Sequence, residues 1–349
     1  ASNPDDRFGM MELLASLYYD AGKDREAELA YNFLIKEKPL IAKTPDWQSR
    51  VVDCVLRAGD KKQTVAQIRK LVKIIGDVEK SGNVKTDADK KFMVTAKDRS
   101  ERTLSNIAVN WHNEGRKTRD DDTFEFANEV YGDYLVLFPD NKKSYDLRFY
   151  WGELLNDYLR KYAEAEQQYT AVVVQDGKAI DAKQKPGKWL PNSAFNAVYA
   201  GDEVVRRAEQ KGELKPPSGG DLKTVVPLAP QRKVLVDACE RYLKYLPKGE
   251  KRVEVAYKAA KLYYDHHRYD EAVFRFSEIA LTAPDHKFDN GDRAGEIAAN
   301  LVLDSYNALG DYKKVNEWAR RFYANDKLAT GKFKDDLAKD IEQSSFKLV

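Results

Sequence analysis

Apolar positions along the chain recur at helical spacing, in paired runs separated by short polar turns. In the first pair, the apolar residues between Gly9 and Lys38 form two runs on either side of DAGKD, residues 20–24. An apolar residue every three or four positions predicts an amphipathic helix, and a tight turn between two such runs predicts an antiparallel helix pair. No segment shows the alternation that predicts a β-strand. The pattern therefore predicts a chain built of helices.

Small and rigid residues of this first pair have a geometric explanation. Gly22 stands where the first helix has to end in a left-handed backbone conformation, which glycine adopts at little steric cost. Ala27 stands where two helices approach too closely for a larger side chain, and Pro39 stands where the second helix has to stop. Together with Tyr18 and Tyr31, these residues define a pattern of offsets that can be searched for elsewhere.

The same offsets recur along most of the chain, so the first match is not a coincidence. Later copies place glycines at Gly59, Gly115 and Gly310, alanines at Ala127, Ala165 and Ala272, and prolines at Pro139 and Pro284. This recurrence resembles the tetratricopeptide repeat, a helix–turn–helix unit of about 34 residues that stacks into a superhelix. The resemblance runs from about Phe8 to Asp326. It implies an all-α fold, a right-handed superhelical solenoid of about seven irregular units with a C-terminal capping helix.

The predicted units can be placed along the chain. They occupy residues 8–41, 45–76, 99–140, 145–177, 192–247, 252–285 and 295–328. A polar connector and the start of a long helix fill residues 77–98, and a capping helix fills residues 331–349. Between Gly115 and Ala127, the third unit is expected to carry a turn insertion of about seven residues. The fifth unit is degenerate and carries a long Pro/Gly-rich insertion.

Composition and charge narrow the choice of partner. The 59 basic and 57 acidic residues are interspersed and leave a formal charge of +2, so no basic patch marks a nucleic-acid or anionic-membrane partner. No run approaches the roughly 18 apolar residues that a transmembrane helix needs. The two cysteines, Cys54 and Cys239, lie in apolar helical patterns and are expected to be small buried side chains. The predicted partners are other proteins.

The chain offers no pattern that indicates catalysis, a cofactor or a metal. His266 and His267 are adjacent, so their side chains diverge by about 100° on a helix and do not meet one metal ion easily. A role in the turn or at the helix C-terminus is favoured for both. Phosphate-binding glycine loops and nucleophile motifs are missing from the sequence. The sequence therefore predicts a protein that is not an enzyme and has no catalytic, cofactor or metal site.

The resemblance does imply where a partner would bind, because the first helices of tetratricopeptide units line a concave groove. The matching positions here are Glu12, Ser16, Tyr19, Ser105, His112, Tyr257, Lys261, Tyr264, Asn300, Asp304 and Asn307. Tyr19 is conspicuous, because it follows the packing residue Tyr18 and the packing pattern does not explain it. Chaperone-tail binders of the family hold a C-terminal carboxylate with lysine and asparagine, and Glu12 and Ser16 stand in their place. That carboxylate clamp is therefore missing.

The function that follows is a scaffold for the assembly of a multiprotein complex, with an extended segment or helix of a partner in the groove or on the inserted turns. The long turns and the Tyr/Phe-rich second helices resemble outer-membrane-associated tetratricopeptide lipoproteins of Gram-negative bacteria and, in general style, components of myxobacterial gliding machinery. This resemblance implies a periplasmic, outer-membrane-associated protein of motility or transport machinery. The chain starts at Ala1 without Met, which indicates processing or trimming, and any export signal or lipid anchor lies upstream of this sequence. The alternatives are a cytoplasmic peptide-binding regulatory adaptor and an α/α-toroid enzyme.

Overall fold

The computed structural model describes residues 4–217 and 220–348, and these residues form fifteen α-helices. In the first of two compact units, residues 1–161, the helices are α1 (Pro4–Asp20), α2 (Asp24–Glu37), α3 (Thr44–Arg57), α4 (Lys61–Lys80), α5 (Asp87–Thr118), α6 (Asp121–Leu137) and α7 (Ser144–Glu153). A short π-helical turn, Leu154–Tyr158, continues α7. The second unit, residues 162–349, contains α8 (Tyr162–Asp181), α9 (Leu190–Gln210), α10 (Pro230–Tyr245), α11 (Arg252–Asp265), α12 (Tyr269–Thr282), α13 (Ala294–Leu309), α14 (Tyr312–Tyr323) and α15 (Gly331–Phe346).

Most consecutive helices pack against one another in both units, with α4 and α5 as the exception in the first, and this confirms the prediction of an all-α array of helix pairs. Apart from one isolated bridge between Lys287 and Arg293, the described residues contain no β-structure. The division between the units follows Lys161, inside the predicted fourth repeat. The repeat boundaries themselves remain predictions.

Small side chains and large aromatic rings fill the contacts between helices of the first pair. Ala15 and Ala27 are completely buried, so α1 and α2 come close together, as the sequence pattern predicts. Tyr31 and Leu34 then pack with Trp47 at the start of the next pair. Burying a large apolar side chain of this kind contributes roughly 1.5–3 kcal/mol, which is why the pairs stack instead of standing alone.

Left-handed residues end the first helices of several pairs. Gly22, Gly59 and Gly310 have φ values of 68°, 83° and 73°, and this confirms the reason for a glycine at those turns. Three other such turns use residues with side chains in the same conformation, Arg119 at φ 60°, Arg160 at φ 54° and His267 at φ 56°. The turn geometry is therefore kept even where glycine is replaced.

The third pair differs from the expected turn insertion. Gly115 lies inside α5, and the turn consists of Arg119 and Asp120, so the additional residues lengthen the helices and do not form a loop. A Cβ at Gly115 would lie 2.7 Å from the ring of Phe124, which shows why this helical position is a glycine. The Asp120 carboxylate accepts the backbone N–H of Thr123 and caps α6.

In the second unit, the two adjacent histidines anchor the long segment between α9 and α10. The backbone N–H of Val226 donates to the carbonyl oxygen of His266 at 3.0 Å. In return, Nδ1 of His266 lies 3.1 Å from the Val226 carbonyl oxygen, and Nδ1 of His267 lies 2.9 Å from that of Thr224. Residues 218–219 of the Pro/Gly-rich insertion lie outside the described part of the chain. The histidines thus form a turn, as predicted, and also bind the inserted segment.

The last helix packs on the pair that precedes it. Phe333 and Leu337 of α15 are buried, and α15 contacts α14. The Asn316 carboxamide of α14 donates to the Ile341 carbonyl oxygen at 2.9 Å, so the contact is polar as well as apolar.

Candidate functional site

Two of the predicted groove residues line one cavity in the first unit. Glu12 and Ser16 of α1 face a cavity of about 340 Å³ together with Asp46 and Arg50 of α3. Gly9, Leu13, Tyr31 and Trp47 complete its lining. The cavity is polar at Asp46 and Arg50 and apolar at Leu13 and Trp47, so it can accept a side chain that has both polar and apolar parts.

Tyr19 lies on the same side of α1 as Glu12 and Ser16. Its contacts explain why a tyrosine stands at this position, which the packing pattern does not account for. The half-buried Tyr19 hydroxyl donates a hydrogen bond of 2.8 Å to Oδ2 of Asp53 in α3. The guanidinium carbons of Arg50 and Arg57 lie 5.0 and 4.5 Å from the centre of its ring. Burial and the hydrogen bond to Asp53 raise the pKa of Tyr19, so the hydroxyl remains a donor. Tyr19 is therefore a rigid bridge between α1 and α3.

The network continues from α3 to α5 through shared carboxylates. One oxygen of Asp46 lies 3.1 Å from Nε of Arg50, and the other lies 3.1 Å from Nε of Arg99. Arg99 also approaches the Asp53 carboxylate, with 3.9 Å between Nη1 and Oδ2. We call Glu12, Ser16, Tyr19, Asp46, Arg50, Asp53 and Arg99 the first-helix face. It carries three carboxylates and two guanidinium groups, which are interspersed.

Glu12 is paired with a lysine on the neighbouring helix pair. Its carboxylate lies 2.8 Å from Nζ of Lys43, immediately before α3, and the same ammonium lies 5.2 Å from the ring centre of Phe92. Both members of the ion pair keep about a third of their side-chain surface exposed. Both side chains therefore remain accessible to a partner. Because Glu12 neutralises the charge of Lys43, this lysine is not free to hold the C-terminal carboxylate of a partner.

The prediction that His112 and Ser105 face a ligand needs a correction, because the structure places both in the interior. His112 is 6% exposed and Ser105 is 4% exposed. The imidazole of His112 lies among the rings of Phe124, Tyr131 and Tyr158, and its Nδ1 is 3.3 Å from the Tyr131 hydroxyl oxygen. Burial lowers the pKa of His112 to about 4. One residue of slip around a helix is enough to move a side chain from the groove to the core.

The candidates on α11 are partly engaged in packing. Tyr257 packs its ring on Phe288, with 4.9 Å between the ring centres. Tyr264 packs on Tyr269 at 5.7 Å, and Lys261 forms an ion pair with Asp265 on its own helix. These side chains are only half-exposed.

The candidates on α13 are open to solvent. Asn300, Asp304 and Asn307 are all exposed and follow one another at spacings of four and three residues, so they share one side of the helix. They belong to the second unit, whereas Glu12, Ser16 and Tyr19 belong to the first. The structure therefore assembles only the α1 candidates into a described cavity and ion-pair network.

The residues that complete the first-helix face were missed at the sequence level. Asp46, Arg50 and Asp53 follow one another at i, i+4 and i+7, which places them on one side of α3. That spacing was a usable signal, because three charged residues at helical spacing beside a buried apolar stripe mark a solvent face. Arg99 had no such signal, because its partners lie on α3.

The described residues show neither a metal centre nor a membrane span. Among residues 4–217 and 220–348, no group of three or more His, Cys, Asp or Glu side chains could hold a metal ion. The same residues contain no helix that is both long and apolar enough to cross a bilayer.

Comparison with known proteins adds only distant likenesses. No protein-family profile matches the sequence, and no curated protein matches it. Among solved structures, a tetratricopeptide repeat protein from Parabacteroides merdae is 10% identical, with 97% of this chain and 98% of that one covered and a TM-score of 0.27. The P58(IPK) TPR domain is 11% identical, with 97% and 99% covered and a TM-score of 0.25. PilW, a type IV pilus biogenesis factor, is 14% identical, with 82% and 97% covered and a TM-score of 0.27.

These TM-scores are too low to carry an argument about fold or function. The all-α fold instead rests on the chain's own helix pairs, left-handed turn residues and buried alanines, which are the features that the tetratricopeptide resemblance predicts. The narrower resemblance to gliding-motility components finds no support in these matches.

Proposed function

We propose that the protein is a non-enzymatic scaffold that binds a segment of another protein on the first-helix face of its first unit. The observation that carries this proposal is the Asp46 carboxylate, which is hydrogen-bonded to Arg50 and forms an ion pair with Arg99 beside an open cavity. A preorganised polar surface loses little side-chain entropy on binding, so its charges contribute to affinity and orientation.

The chemistry of the face defines the partner's side chains. Because positive and negative groups are interspersed, a partner segment with mixed acidic and basic residues complements it better than a run of one sign. An apolar residue of that segment would enter the cavity against Leu13 and Trp47, beside the guanidinium of Arg50.

Site-specific photocrosslinking in the native host tests this proposal. A photoreactive amino acid at Ser16, inside the cavity, is expected to trap a partner protein, and Arg50→Glu in the same chain is expected to abolish the adduct. Arg25→Glu is the matched control, because Arg25 is exposed on α2 outside the face. An adduct that survives Arg50→Glu, or one that Arg25→Glu removes equally, would contradict the proposed surface.

We also propose that the complex assembles at the envelope of a Gram-negative bacterium, in motility or transport machinery. The resemblance of the aromatic second helices, and of the long segment between α9 and α10, to those of envelope lipoproteins supports this location. Fractionation of native cells tests it, because the protein is expected with periplasmic or outer-membrane markers. Recovery with cytoplasmic markers would favour the regulatory adaptor instead.

A further inference from the structure

A second cavity, of about 640 Å³, lies in the second unit between the first two turns of α9 and the end of α10 with the loop that joins it to α11. Its walls are Pro191 and Phe195 on one side and Tyr242, Tyr245, Leu246 and Pro247 on the other. Asn192, Asn196, Lys248, Gly249, Glu250 and Lys251 complete the lining. Apolar walls with a few polar groups are the usual composition of a binding pocket.

Two glycines make room for the tyrosines of this cavity. A Cβ at Gly177 would lie 2.5 Å from Cζ of Tyr245, and a Cβ at Gly249 would lie 2.5 Å from the hydroxyl oxygen of Tyr242. The Tyr242 hydroxyl oxygen accepts the backbone N–H of Lys251 at 3.1 Å, so this wall is also hydrogen-bonded. Both rings are therefore held in place, and the cavity has a defined shape.

Two carboxamides on α9 are available for hydrogen bonding. Within the part of the chain that the structure describes, the carboxamides of Asn192 and Asn196 make no hydrogen bond, although both residues line the cavity. Residues four apart on a helix are separated by about 6 Å along its axis. Alternate residues of an extended segment are separated by about 6.6 Å, so the two carboxamides match successive main-chain groups on one side of such a segment.

The rim of the cavity favours negative charge. Lys248 is exposed and has no ion-pair partner among the described residues, while Lys251 has only a distant one, with 3.7 Å between its Nζ and Oε1 of Glu254. Glu250 is the single carboxylate in the lining, against two ammonium groups. Exposed ammonium groups without close partners attract carboxylates and increase the rate of encounter.

We propose that this cavity binds an extended, acidic segment of a partner protein, with a large apolar side chain of that segment inserted between Phe195 and Tyr245. The Asn192 and Asn196 carboxamides pair with the main chain of the segment, and Lys248 and Lys251 pair with its acidic side chains. This site is independent of the first-helix face, since it belongs to the other unit.

Fluorescence anisotropy with the full chain and a labelled nonapeptide tests the proposal. The peptide carries a central phenylalanine flanked by aspartate and glutamate, and it is expected to bind. Replacing its phenylalanine by alanine is expected to weaken binding about tenfold or more, because an aromatic anchor is lost. Replacing its acidic residues by lysine is expected to abolish binding at low ionic strength.

Variants of the protein separate this site from nonspecific attraction. Asn192→Ala combined with Asn196→Ala is expected to weaken binding about fivefold or more, and Gly177→Ala is expected to do so by displacing Tyr245. Lys332→Glu is the control, because Lys332 is exposed on α15 and does not line the cavity. The proposal would be overturned by an absence of binding, by equal binding of the lysine peptide, or by unchanged binding to the asparagine double variant.

Discussion

Tyr19 and Asp53 connect the first helices of two successive pairs by a hydrogen bond of 2.8 Å. The donor lies on α1 and the acceptor on α3, and two guanidinium groups lie against the tyrosine ring. The bond therefore sets the relative position of the two helices that carry the first-helix face, and its removal is a direct test of that role.

Tyr19→Phe is expected to destabilise the protein by about 1 kcal/mol, because it removes one hydrogen bond to a charged acceptor and keeps the ring. Asp53 retains Thr103 as a donor at 3.3 Å, which limits the loss. Tyr18→Phe is the matched control, since the Tyr18 hydroxyl makes no hydrogen bond among the described residues. Urea unfolding followed by circular dichroism measures both. Equal losses in the two variants would show that the Asp53 bond does not contribute.

Removing the titration of His112 should change how stability depends on pH. Burial lowers the folded-state pKa to about 4 from an ordinary value of 6.5. As the pH falls from 6.5 to 4, the imidazole therefore becomes protonated in the unfolded chain but stays neutral in the folded protein. Protonation stabilises the unfolded chain, so the free energy of unfolding decreases over this range. The loss reaches about 3 kcal/mol below that range.

His112→Phe keeps a ring in the site and cannot titrate. The free energy of unfolding of the wild type minus that of the variant is therefore expected to fall between pH 6.5 and 4. A difference that stays constant over this range would show that His112 is not buried as a neutral group.

Asp133 on α6 is expected to act in the opposite direction. Burial raises its pKa to about 6, and Oδ2 is buried without a hydrogen-bond partner among the described residues. Because the folded-state pKa lies above the unfolded value, the contribution of this carboxyl to stability is present below about pH 4 and is lost as the pH rises through 6.

Asp133→Asn should therefore stabilise the protein at pH 8 by about 1–2 kcal/mol, a figure reduced for partial solvent screening. The gain should disappear near pH 4, where the wild-type carboxyl is also neutral. Thermal unfolding at the two pH values measures the difference, and a gain of equal size at both would show that the charge is not its cause.

Two helical glycines provide an internal comparison of packing and propensity. Gly115→Ala is expected to destabilise the protein by about 1–3 kcal/mol, because the new methyl group would overlap the Phe124 ring at 2.7 Å. Gly76→Ala in α4 has open space around the new Cβ and is expected to stabilise by roughly 0.5–1 kcal/mol through helix propensity alone. Denaturant unfolding of both variants tests the pair. A stabilised Gly115→Ala protein would contradict the close contact with Phe124.

The candidate site was only partly readable from the sequence. Glu12 and Ser16 could be placed by their position in the repeat, and the structure puts both in one cavity. Asp46 and Arg50 could have been found from their helical spacing. Arg99 could not, because its partners Asp46 and Asp53 lie on another helix and nothing local to α5 indicates them.

The sequence by itself determined the helix pairs and the turns at Gly22, Gly59 and Gly310. These features depend on local properties: apolar periodicity over a few turns, and the left-handed conformations that glycine adopts easily. Only the tertiary structure decided the length of α5, because Gly115 resembles a turn glycine until Phe124 is seen to occupy the space beside it.

The same limit applies to His112 and to the first-helix face. His112 is buried because rings from α6 and from the segment after α7 surround it, and no pattern within α5 records their approach. The charges of the first-helix face form a network because α3 packs beside α5 and side chains of α1 reach α3. Local periodicity determines which residues form a helix, whereas burial and charge pairing depend on contacts between residues far apart in the chain.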